Sequence, residues 1–302
     1  MMHNLFATIR NARPSVNLVA AISFILLCTS SAKAGTMITQ STCPVVILQS
    51  GEYDLATDVG PCLPGVDGID IVASGVTLHL NGHNIIGSAD PTVCNASDGI
   101  HVGLPAPTPM LSQVRVLGPG TISNFGAPSA SAGFFAENSA GSFVKFVTVT
   151  CPVGSVGFFI AGPGGQWKLQ GNVVREGPPN DFCNILLINA DDNELVGNNL
   201  NNAICISSSN NTVVNNTIND GANGIETRGL TTNNEIHANT INNNKPFSGI
   251  TIAASSTANN ITGNKSFGNS PYDMEDDNPG CDSNKWEGNH FDAGSASQSC
   301  IN

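Results

Sequence analysis

An eight-residue pattern, Asn-x-Φ-x-x-Asn-x-Φ with Φ apolar, recurs along the C-terminal half of the chain and constrains its fold more than any other feature. The copies begin at Asn193, Asn211, Asn234, Asn259 and Asn284. Their first apolar positions are separated by steps of 18, 23, 25 and 25 residues. A period of this size is typical of a solenoid, in which successive coils stack on one another. A degenerate copy from Trp167 to Val174 extends the array towards the N-terminus.

The local chemistry of each repeat indicates strands rather than helices. Apolar and polar residues alternate with period two, Val, Ile and Thr are frequent, and Gly and Asn interrupt the runs. A second element, Gly-Ile-x-Ile and its variants, opens at Gly68, Gly99, Gly224 and Gly249. In the C-terminal coils it keeps a nearly constant distance from the first pattern, with steps of 9, 11 and 11 residues from Ile204 to Val213, Ile225 to Ile236 and Ile250 to Ile261. The two elements are therefore two faces of one coil, and the sequence predicts a parallel β-helix whose coils stack about 4.8 Å apart.

The abundant asparagines have a structural explanation in such a coil. The short amide side chain tolerates left-handed backbone conformations at turns. Stacked asparagines can also form hydrogen bonds along the coil axis as ladders. We therefore interpret the repeated Asn residues as part of the scaffold and look elsewhere for functional residues.

The N-terminal segment predicts export. A short apolar run at residues 18–28 follows Arg10 and Arg13 and precedes Ala32-Lys33-Ala34, which is the pattern of a signal peptide cleaved after Ala34. No later stretch is apolar for long enough to span a membrane, so no membrane insertion is expected after cleavage. The expected location is secreted, periplasmic or at the cell surface.

The remaining chain, residues 35–302, is expected to form one domain. It comprises an N-terminal cap at 35–67, coils with inserted loops at 68–270, and a last coil with a C-terminal cap at 271–302. The clearest loops are expected at Pro91–Cys94, Pro105–Pro109, Gly162–Gly165 and Gly177–Pro179.

Eight of the nine cysteines follow residue 34, and an even number in an oxidising compartment favours disulfides. Eight cysteines allow 105 pairings, so the sequence alone leaves the connectivity open. Two pairs flank the ends of the repeat array, where stacking stabilises a coil from one side only. We expect Cys43–Cys62 and Cys281–Cys300 to staple the two caps. The pairing of the others stays open: Cys94, Cys151, Cys183 and Cys205.

The formal net charge of −12 argues against nucleic acid and anionic membranes as partners. A different partner is suggested by the strands that open with Gly-Ile-x-Ile. If Ile points inward, the intervening residue points outward, which predicts one outward row: Asp70, His101, Phe135, Phe159, Cys205, Glu226 and Thr251. A polysaccharide could lie along this row, because aromatic rings stack on sugars while acids and His exchange protons.

Several segments resemble a known group of proteins. They are the run from Gly68 to Gly87, the Asn-x-Φ-x-x-Asn-x-Φ coils, and the ending from Asp273 to Phe291 with Cys300-Ile301. The chain is similar to exported right-handed parallel β-helix repeat proteins of the NosD-like and pectate-lyase-like group. That resemblance implies a right-handed coil with three parallel sheets. Members bind or act on polysaccharides, accompany the maturation of a copper enzyme, or have no known activity.

Three functions remain open at this point: polysaccharide binding, uronate lyase activity, and a NosD-like accessory role for a metalloenzyme. A lyase needs a base beside a cation, and Arg228, two residues after Glu226, is the Arg of the regular coils suited to that part. Calcium is a candidate cofactor, although Glu226 with Asp220 provides few of the six to eight oxygens that calcium prefers. The paired carboxylates of a glycoside hydrolase are not evident near Glu226. The dense acidic run at 273–282 is interpreted as a cap.

Overall fold

The computed structural model describes residues 35–104, 108–126, 131–151, 155–176 and 183–302. The predicted signal peptide, residues 1–34, lies outside these ranges, as do parts of the loops expected at 105–109 and 177–179. The described residues form a parallel β-helix with three sheets, which confirms the predicted fold class. Each regular coil contributes one strand to each sheet in turn, and all strand pairs are parallel.

Sheet 1 contains eleven strands in coil order. They are β1 (Thr36–Ile38), β3 (Gly51–Leu55), β5 (Val76–His79), β9 (Arg115–Leu117), β13 (Phe143–Lys145), β16 (Lys168–Gln170), β19 (Glu194–Val196), β22 (Thr212–Val214), β25 (Glu235–His237), β28 (Asn260–Thr262) and β31 (Lys285–Glu287).

Sheet 2 contains nine strands. They are β6 (Asn84–Ile86), β10 (Thr121–Ser123), β14 (Thr148–Cys151), β17 (Val173–Glu176), β20 (Asn199–Leu200), β23 (Thr217–Asn219), β26 (Thr240–Asn242), β29 (Lys265–Phe267) and β32 (His290–Phe291).

Sheet 3 contains twelve strands, ten of them in one continuous stack. The stack is β2 (Val45–Ile47), β4 (Ile69–Ile71), β7 (Ile100–Val102), β11 (Ala132–Glu137), β15 (Val156–Gly165), β18 (Ile185–Asp191), β21 (Ile204–Ser207), β24 (Ile225–Thr227), β27 (Ile250–Ile252) and β30 (Met274–Asp276). The short strands β8 (Leu111–Ser112) and β12 (Ser139–Ala140) pair beside it. A 3₁₀ helix spans Pro279–Cys281.

The apolar positions of the repeat form the core between the three sheets. In sheet 1 the register stacks Leu169, Leu195, Val213, Ile236, Ile261 and Trp286, as the repeat predicts. Each of these side chains is at most 4% exposed. The fourth copy places Ser266 at the apolar position of sheet 2, where its hydroxyl donates to the Asp273 carbonyl oxygen at 2.8 Å. Burying the hydroxyl is tolerated there because it has a partner.

The two asparagines of the repeat form two buried hydrogen-bond ladders along the axis. The first ladder connects Asn193, Asn211, Asn234, Asn259 and Asn284. The second connects Asn172, Asn198, Asn216, Asn239, Asn264 and Asn289. Each Oδ1 accepts the backbone N–H and the Nδ2–H of the asparagine one coil before it, so ladder formation is confirmed.

The left-handed turn conformation lies at a different position from the ladder itself. The residue just before each second-ladder asparagine has a positive φ: Gly171, Gly197, Asn215, Ala238, Gly263 and Gly288. At this position the chain turns between sheets 1 and 2, and glycine or asparagine is favoured because an L side chain crowds the backbone there. The repeat therefore encodes the turn and the ladder in adjacent residues.

Four disulfides join the described cysteines. Cys43–Cys62 and Cys281–Cys300 close the two ends of the array, as the sequence predicts. The four cysteines whose pairing the sequence left open form the disulfides Cys94–Cys151 and Cys183–Cys205. Four disulfides are typical of proteins from an oxidising compartment outside the cytosol.

Two further sequence expectations meet a structural test. Gly162–Gly165 was expected to be a loop but forms the end of β15, with a register shift between Ala161 and Gly164. The prediction was wrong because glycine-rich segments can pair through their backbone when a bulge absorbs the extra residues. Within the described ranges, the structure contains no helix of the length and apolarity needed to cross a membrane.

Candidate functional site

The backbone register of sheet 3 aligns the predicted outward residues in one row. From the first coil to the last, its members are Val46, Asp70, His101, Phe135, Phe159, Leu186, Cys205, Glu226, Thr251 and Glu275. Leu186 comes from β18, whose first four residues, Ile185 to Ile188, are all apolar. The alternation of inward and outward residues therefore predicts the composition of this row.

Burial divides the row into two parts. Cys205 is fully buried and bonded to Cys183, and this disulfide packs with Ala203 and the half-buried Leu186. Asp70, His101 and Phe159 lie on the N-terminal side of this apolar patch, whereas Glu226 and Thr251 lie on the C-terminal side. The buried disulfide thus separates the two parts of the row.

On the C-terminal side, the residues predicted to be catalytic form an ion pair. Arg228 donates from Nε to Glu226 Oε2 at 2.9 Å, and its NH2 atom lies 2.8 Å from the same oxygen. Asn223 Nδ2 also donates to this oxygen at 3.1 Å. A guanidinium stays protonated in proteins, and this one is further held by a carboxylate, so it is poorly suited to remove a proton. Thr251 lies one coil beyond Glu226.

The calcium ligands considered from the sequence do not converge in the described part of the chain. Among the described residues, one group of His, Cys, Asp or Glu side chains has at least three ligand atoms close together. This group contains neither Glu226 nor Asp220. Asp220 instead accepts an exposed hydrogen bond from Asn243 Nδ2 at 3.3 Å. The described structure therefore does not place Glu226 and Asp220 in a shared group of such ligands.

The acidic run at 273–282 has the capping contacts expected of it. Asp273 Oδ1 accepts from the backbone N–H of Asn269 at 3.0 Å, and its Oδ2 accepts from the N–H of Asp292 at 3.0 Å. Asp276 Oδ2 accepts from Trp286 Nε1 at 2.9 Å. Both aspartates are almost completely buried, so they anchor the last coil.

On the N-terminal side, five side chains form what we call the acid–histidine cluster: Asp67, Asp70, Asp98, His101 and Glu137. His101 lies at its centre, with Nε2 3.2 Å from Glu137 Oε1. Its Nδ1 lies 3.9 Å from Asp67 Oδ2 and 3.9 Å from Asp70 Oδ1. The side chain of His101 is only 13% exposed.

Aromatic stacking fixes the plane of the imidazole. The His101 ring lies nearly parallel to the Phe135 ring, with centroids 5.3 Å apart and an interplanar angle of 12°. Phe135 in turn packs against Phe159 at 5.0 Å. Phe135 is 5% exposed, so it supports His101 rather than offering a free ring to a ligand, whereas Phe159 remains partly exposed. The row thus presents an ordered imidazole beside one accessible aromatic ring.

Asp67 and Asp98 occupy equivalent positions on successive coils, three residues before Asp70 and His101. Asp67 Oδ1 accepts from the backbone N–H of Asp98 at 2.8 Å, and Asp98 Oδ1 accepts from that of Ala132 at 2.7 Å. One oxygen of each carboxylate therefore holds the next coil. Through Asp67 Oδ2, the pair also reaches towards His101.

Crowding of the carboxylates changes the ionisation of the cluster. Burial, followed by the neighbouring Asp67 carboxylate, raises the pKa of Asp70 to about 7. Burial lowers the pKa of His101, but the hydrogen bond that its ring donates to Glu137 and the charges of Asp98 and Asp67 outweigh this effect, so the net change in pKa is upward. The site is thus a buried region of negative potential centred on one imidazole.

Sequence reasoning placed Asp70 and His101 on one face but missed Asp67, Asp98 and Glu137. A signal was present, because Asp-Gly-Ile-x-Φ occurs twice, at Asp67 and at Asp98. Equivalent positions on stacked coils lie directly above one another, so two such motifs bring two carboxylates together. Glu137 had no comparable signal, since it extends β11 beyond the recurring element.

A separate shallow depression of about 250 Å³ is lined by Met110, Ala140, Pro163, Gly164, Gly165, Gln166 and Asp192. Its lining contains one charged side chain, Asp192, and no member of the acid–histidine cluster. It lacks the convergent polar groups of a ligand site, so the cluster is the stronger candidate.

The donor atoms of the cluster do not suit copper(I). This ion prefers thiolate and thioether ligands, but all the described cysteines form disulfides and the cluster contains no methionine. The described cysteines therefore provide no thiolate ligand for copper(I).

Comparisons with known structures agree on the architecture. The Dettilon tailspike protein superimposes with a TM-score of 0.60 at 15% identity, over 83% of this chain and 53% of the tailspike chain. This chain thus spans about half the length of that protein, and at this identity the likeness shows the fold alone. Two Azotobacter vinelandii mannuronan C-5 epimerase A-modules match less well. AlgE6 gives a TM-score of 0.46 at 13% identity over 87% of this chain and 89% of its own, and AlgE4 gives 0.39 at 11% over 88% and 91%.

No curated protein matches the chain in sequence. A protein-family model does match, over residues 128–295, which is more than half of the chain, and its description is "Periplasmic copper-binding protein (NosD)". The matched segment covers the regular Asn-ladder coils and begins after Asp67, Asp70, Asp98 and His101. On the strength of this match and the parallel β-helix that carries it, the chain belongs to the NosD family.

Proposed function

We propose that the protein binds a polysaccharide across the N-terminal part of the outward row of sheet 3, with the acid–histidine cluster and Phe159 as the main contacts. The observation that carries this proposal is the direct continuity between the cluster and the aromatic column His101–Phe135–Phe159. Stacked parallel strands present these side chains along a line, which is the shape a linear ligand requires.

The chemistry of the row supports a sugar as the ligand. Carboxylates accept hydrogen bonds from sugar hydroxyls, and the side chains of Asp67 and Glu137 are 27% and 25% exposed. The partly exposed Phe159 ring offers an apolar face on which a sugar ring can stack. A few convergent polar groups beside an aromatic surface are the usual composition of a small-ligand site.

Charge narrows the class of polysaccharide. Four carboxylates surround one imidazole in a chain whose formal net charge is −12, so an anionic chain of uronates is repelled at this site. Neutral sugars and amino sugars are favoured over uronates. The Arg228–Glu226 ion pair weighs against uronate elimination, because the guanidinium is neither free nor next to a converging set of cation ligands.

Family membership supports a second candidate function, namely an accessory role for a metalloenzyme. The described cysteines form disulfides, so they provide no thiolate ligand for copper(I) as the cargo of such a role. Copper retention by the purified protein after dialysis against a weak chelator tests this candidate. One copper ion retained per chain would favour it, and loss of all copper would count against it.

The binding proposal is tested by affinity electrophoresis in gels containing neutral, amino-sugar or uronate polysaccharides. Phe159→Ala should weaken binding by about 5–10-fold, the equivalent of roughly 1–1.5 kcal/mol for one aromatic stack. Thr251→Ala lies in the same row beyond the Cys183–Cys205 disulfide and serves as the control that keeps wild-type affinity. Equal retardation of wild type and Phe159→Ala, or equal losses in both variants, would contradict the proposal.

A further inference from the structure

The acid–histidine cluster has the arrangement of a cation site, and all of its residues except Glu137 precede the segment that matches the NosD family. Asp67, Asp98 and His101 each offer one ligand atom, and these three atoms all lie within 4.8 Å of one another. The residues come from turns and strands of adjacent coils in a rigid stack. The geometry is therefore held by the scaffold rather than by a flexible loop.

His101 is oriented as a metal-binding histidine usually is. Such a histidine donates its second ring N–H to a carboxylate, which fixes the tautomer and exposes the other nitrogen to the metal. Here Glu137 Oε1 lies 3.2 Å from Nε2, and the Phe135 ring fixes the plane. The remaining nitrogen, Nδ1, points to Asp67 and Asp70, where no hydrogen bond forms.

The distances around Nδ1 suit a bound ion better than a direct contact. Asp67 Oδ2 and Asp70 Oδ1 each lie 3.9 Å from Nδ1, which is too far for a hydrogen bond. Two ligands of a tetrahedral ion with bonds of about 2.1 Å are separated by about 3.4 Å. A contraction of about 0.5 Å, within the reach of side-chain rotation, brings these two oxygens to the spacing of tetrahedral ligands around Nδ1.

An independent observation also points to a ligand at this place. Asp70 Oδ1 is buried and has no hydrogen-bond partner. A buried carboxylate oxygen without a partner is destabilising, and a cation satisfies it. The same ion would offset the repulsion between Asp70 and the neighbouring Asp67, Asp98 and Glu137 carboxylates.

We propose that Asp67, Asp98 and His101 bind a divalent transition-metal ion of the Zn²⁺ and Mn²⁺ class, with Asp70 as a further ligand and Glu137 as the residue that positions His101. One imidazole nitrogen with carboxylate oxygens suits these ions, whereas copper(I) requires sulfur ligands that the cluster lacks. The four proposed ligand residues precede the segment that matches the family. It does not depend on polysaccharide binding.

The test is calorimetric titration of the EDTA-treated, desalted protein with Zn²⁺ and, separately, with Mn²⁺. We expect one ion per chain for at least one of the two metals. His101→Gln should abolish saturable binding, and Glu137→Gln should weaken it by about 10–100-fold, as loss of an orienting carboxylate does. His237→Gln, a histidine of β25 outside the cluster, is the matched control and should bind as the wild type does.

Folding of each variant is checked by circular dichroism and by a free-thiol content equal to that of the wild type, since the four disulfides persist in the native fold. If His101→Gln fails these checks, Asp70→Asn replaces it and should weaken binding at least about 10-fold. Absence of saturable Zn²⁺ and Mn²⁺ binding by the wild type would overturn the proposal. So would binding that His101→Gln retains, or binding that His237→Gln reduces equally.

Discussion

Replacing Asn198 with Ala should destabilise the protein far more than the same change at the neighbouring Asn199. The Asn198 amide donates to the Leu169 carbonyl oxygen at 2.9 Å and to Asn216 Oδ1 at 2.9 Å. Its own Oδ1 accepts the backbone N–H of Asn172 at 3.0 Å and the Asn172 Nδ2–H at 3.1 Å. Asn198 is 1% exposed, whereas Asn199 points outward from β20 and is exposed.

The magnitude follows from the groups that lose partners. Asn198→Ala leaves the buried backbone N–H of Asn172 without an acceptor, which costs about 1–3 kcal/mol. The other lost hydrogen bonds add about 1 kcal/mol each, reduced where a group keeps a second partner, as Asn172 Nδ2 does with the Val144 carbonyl oxygen. We expect a loss of about 3–5 kcal/mol in the free energy of unfolding, against at most about 0.5 kcal/mol for Asn199→Ala.

The assay is urea unfolding of the disulfide-intact protein, followed by the fluorescence of Trp167 and Trp286. Both indoles are buried in the coil array, with exposures of 1% and 4%, so both report its loss. Solenoids can unfold in segments, so the free energies of unfolding of the two variants are compared only if their m-values are equal. Equal destabilisation by Asn198→Ala and Asn199→Ala would refute the assignment of the buried ladder as a main source of stability.

Three further predictions concern the turn, the cluster and the ion pair. Ala238→Gly should stabilise the protein by up to about 1 kcal/mol in the same assay, because Ala238 has a φ of +56° where four other coils have Gly; a loss of stability would contradict this. Asp70→Asn should raise the thermal midpoint in EDTA at pH 8, because burial and Asp67 raise the pKa of Asp70 to about 7 and so disfavour its charged form in the fold. A rise in pKa from 3.8 to about 7 corresponds to roughly 4 kcal/mol of destabilisation at pH 8, and the variant should recover a fraction of it. The stability gain of the variant should shrink as pH falls towards 4, and a gain that is the same at pH 8 and pH 4 would count against this prediction. Arg228→Ala should lower stability by less than about 1 kcal/mol and leave polysaccharide binding unchanged, whereas a lyase signal in ultraviolet absorbance that this variant abolishes would show that the Arg228–Glu226 pair is catalytic.

The scaffold is readable from the sequence because its rules are local and repeated. The step between Leu195 and Val213 fixes which residues stack, and the alternation within Gly-Ile-x-Ile fixes that Asp70 and His101 face the same side. The two terminal disulfides are predictable for the same reason, since Cys43–Cys62 and Cys281–Cys300 each lie within one end of the array. In each case the position of a residue within the repeat determines which residue lies next to it on the adjacent coil.

The parts that sequence did not predict depend on what covers a side chain rather than on where it points. Phe135 faces outward as predicted, yet it is buried between His101 and Phe159. The Cys183–Cys205 disulfide interrupts the row, although each cysteine looks unremarkable in its own repeat. Alternation defines the direction of a side chain, but it does not define the loops and cross-links that cover it.

The acid–histidine cluster was only half predictable for a related reason. Asp67 and Asp98 are turn residues, and a single acidic residue at a turn is usually a cap. Each carboxylate is indeed a cap through one oxygen. Their second role emerges only when successive coils bring them to the same imidazole, a contact that depends on the three-dimensional stacking of residues 31 positions apart.

The most direct test of where ligands bind is a crystal structure of the protein with a bound neutral or amino-sugar oligosaccharide. We predict electron density for the sugar along sheet 3 between Asp70 and Phe159, with one ring on the Phe159 side chain and hydroxyls within hydrogen-bond distance of the cluster. Density confined to the region of Arg228 and Thr251, or to the outer faces of sheets 1 and 2, would contradict the account.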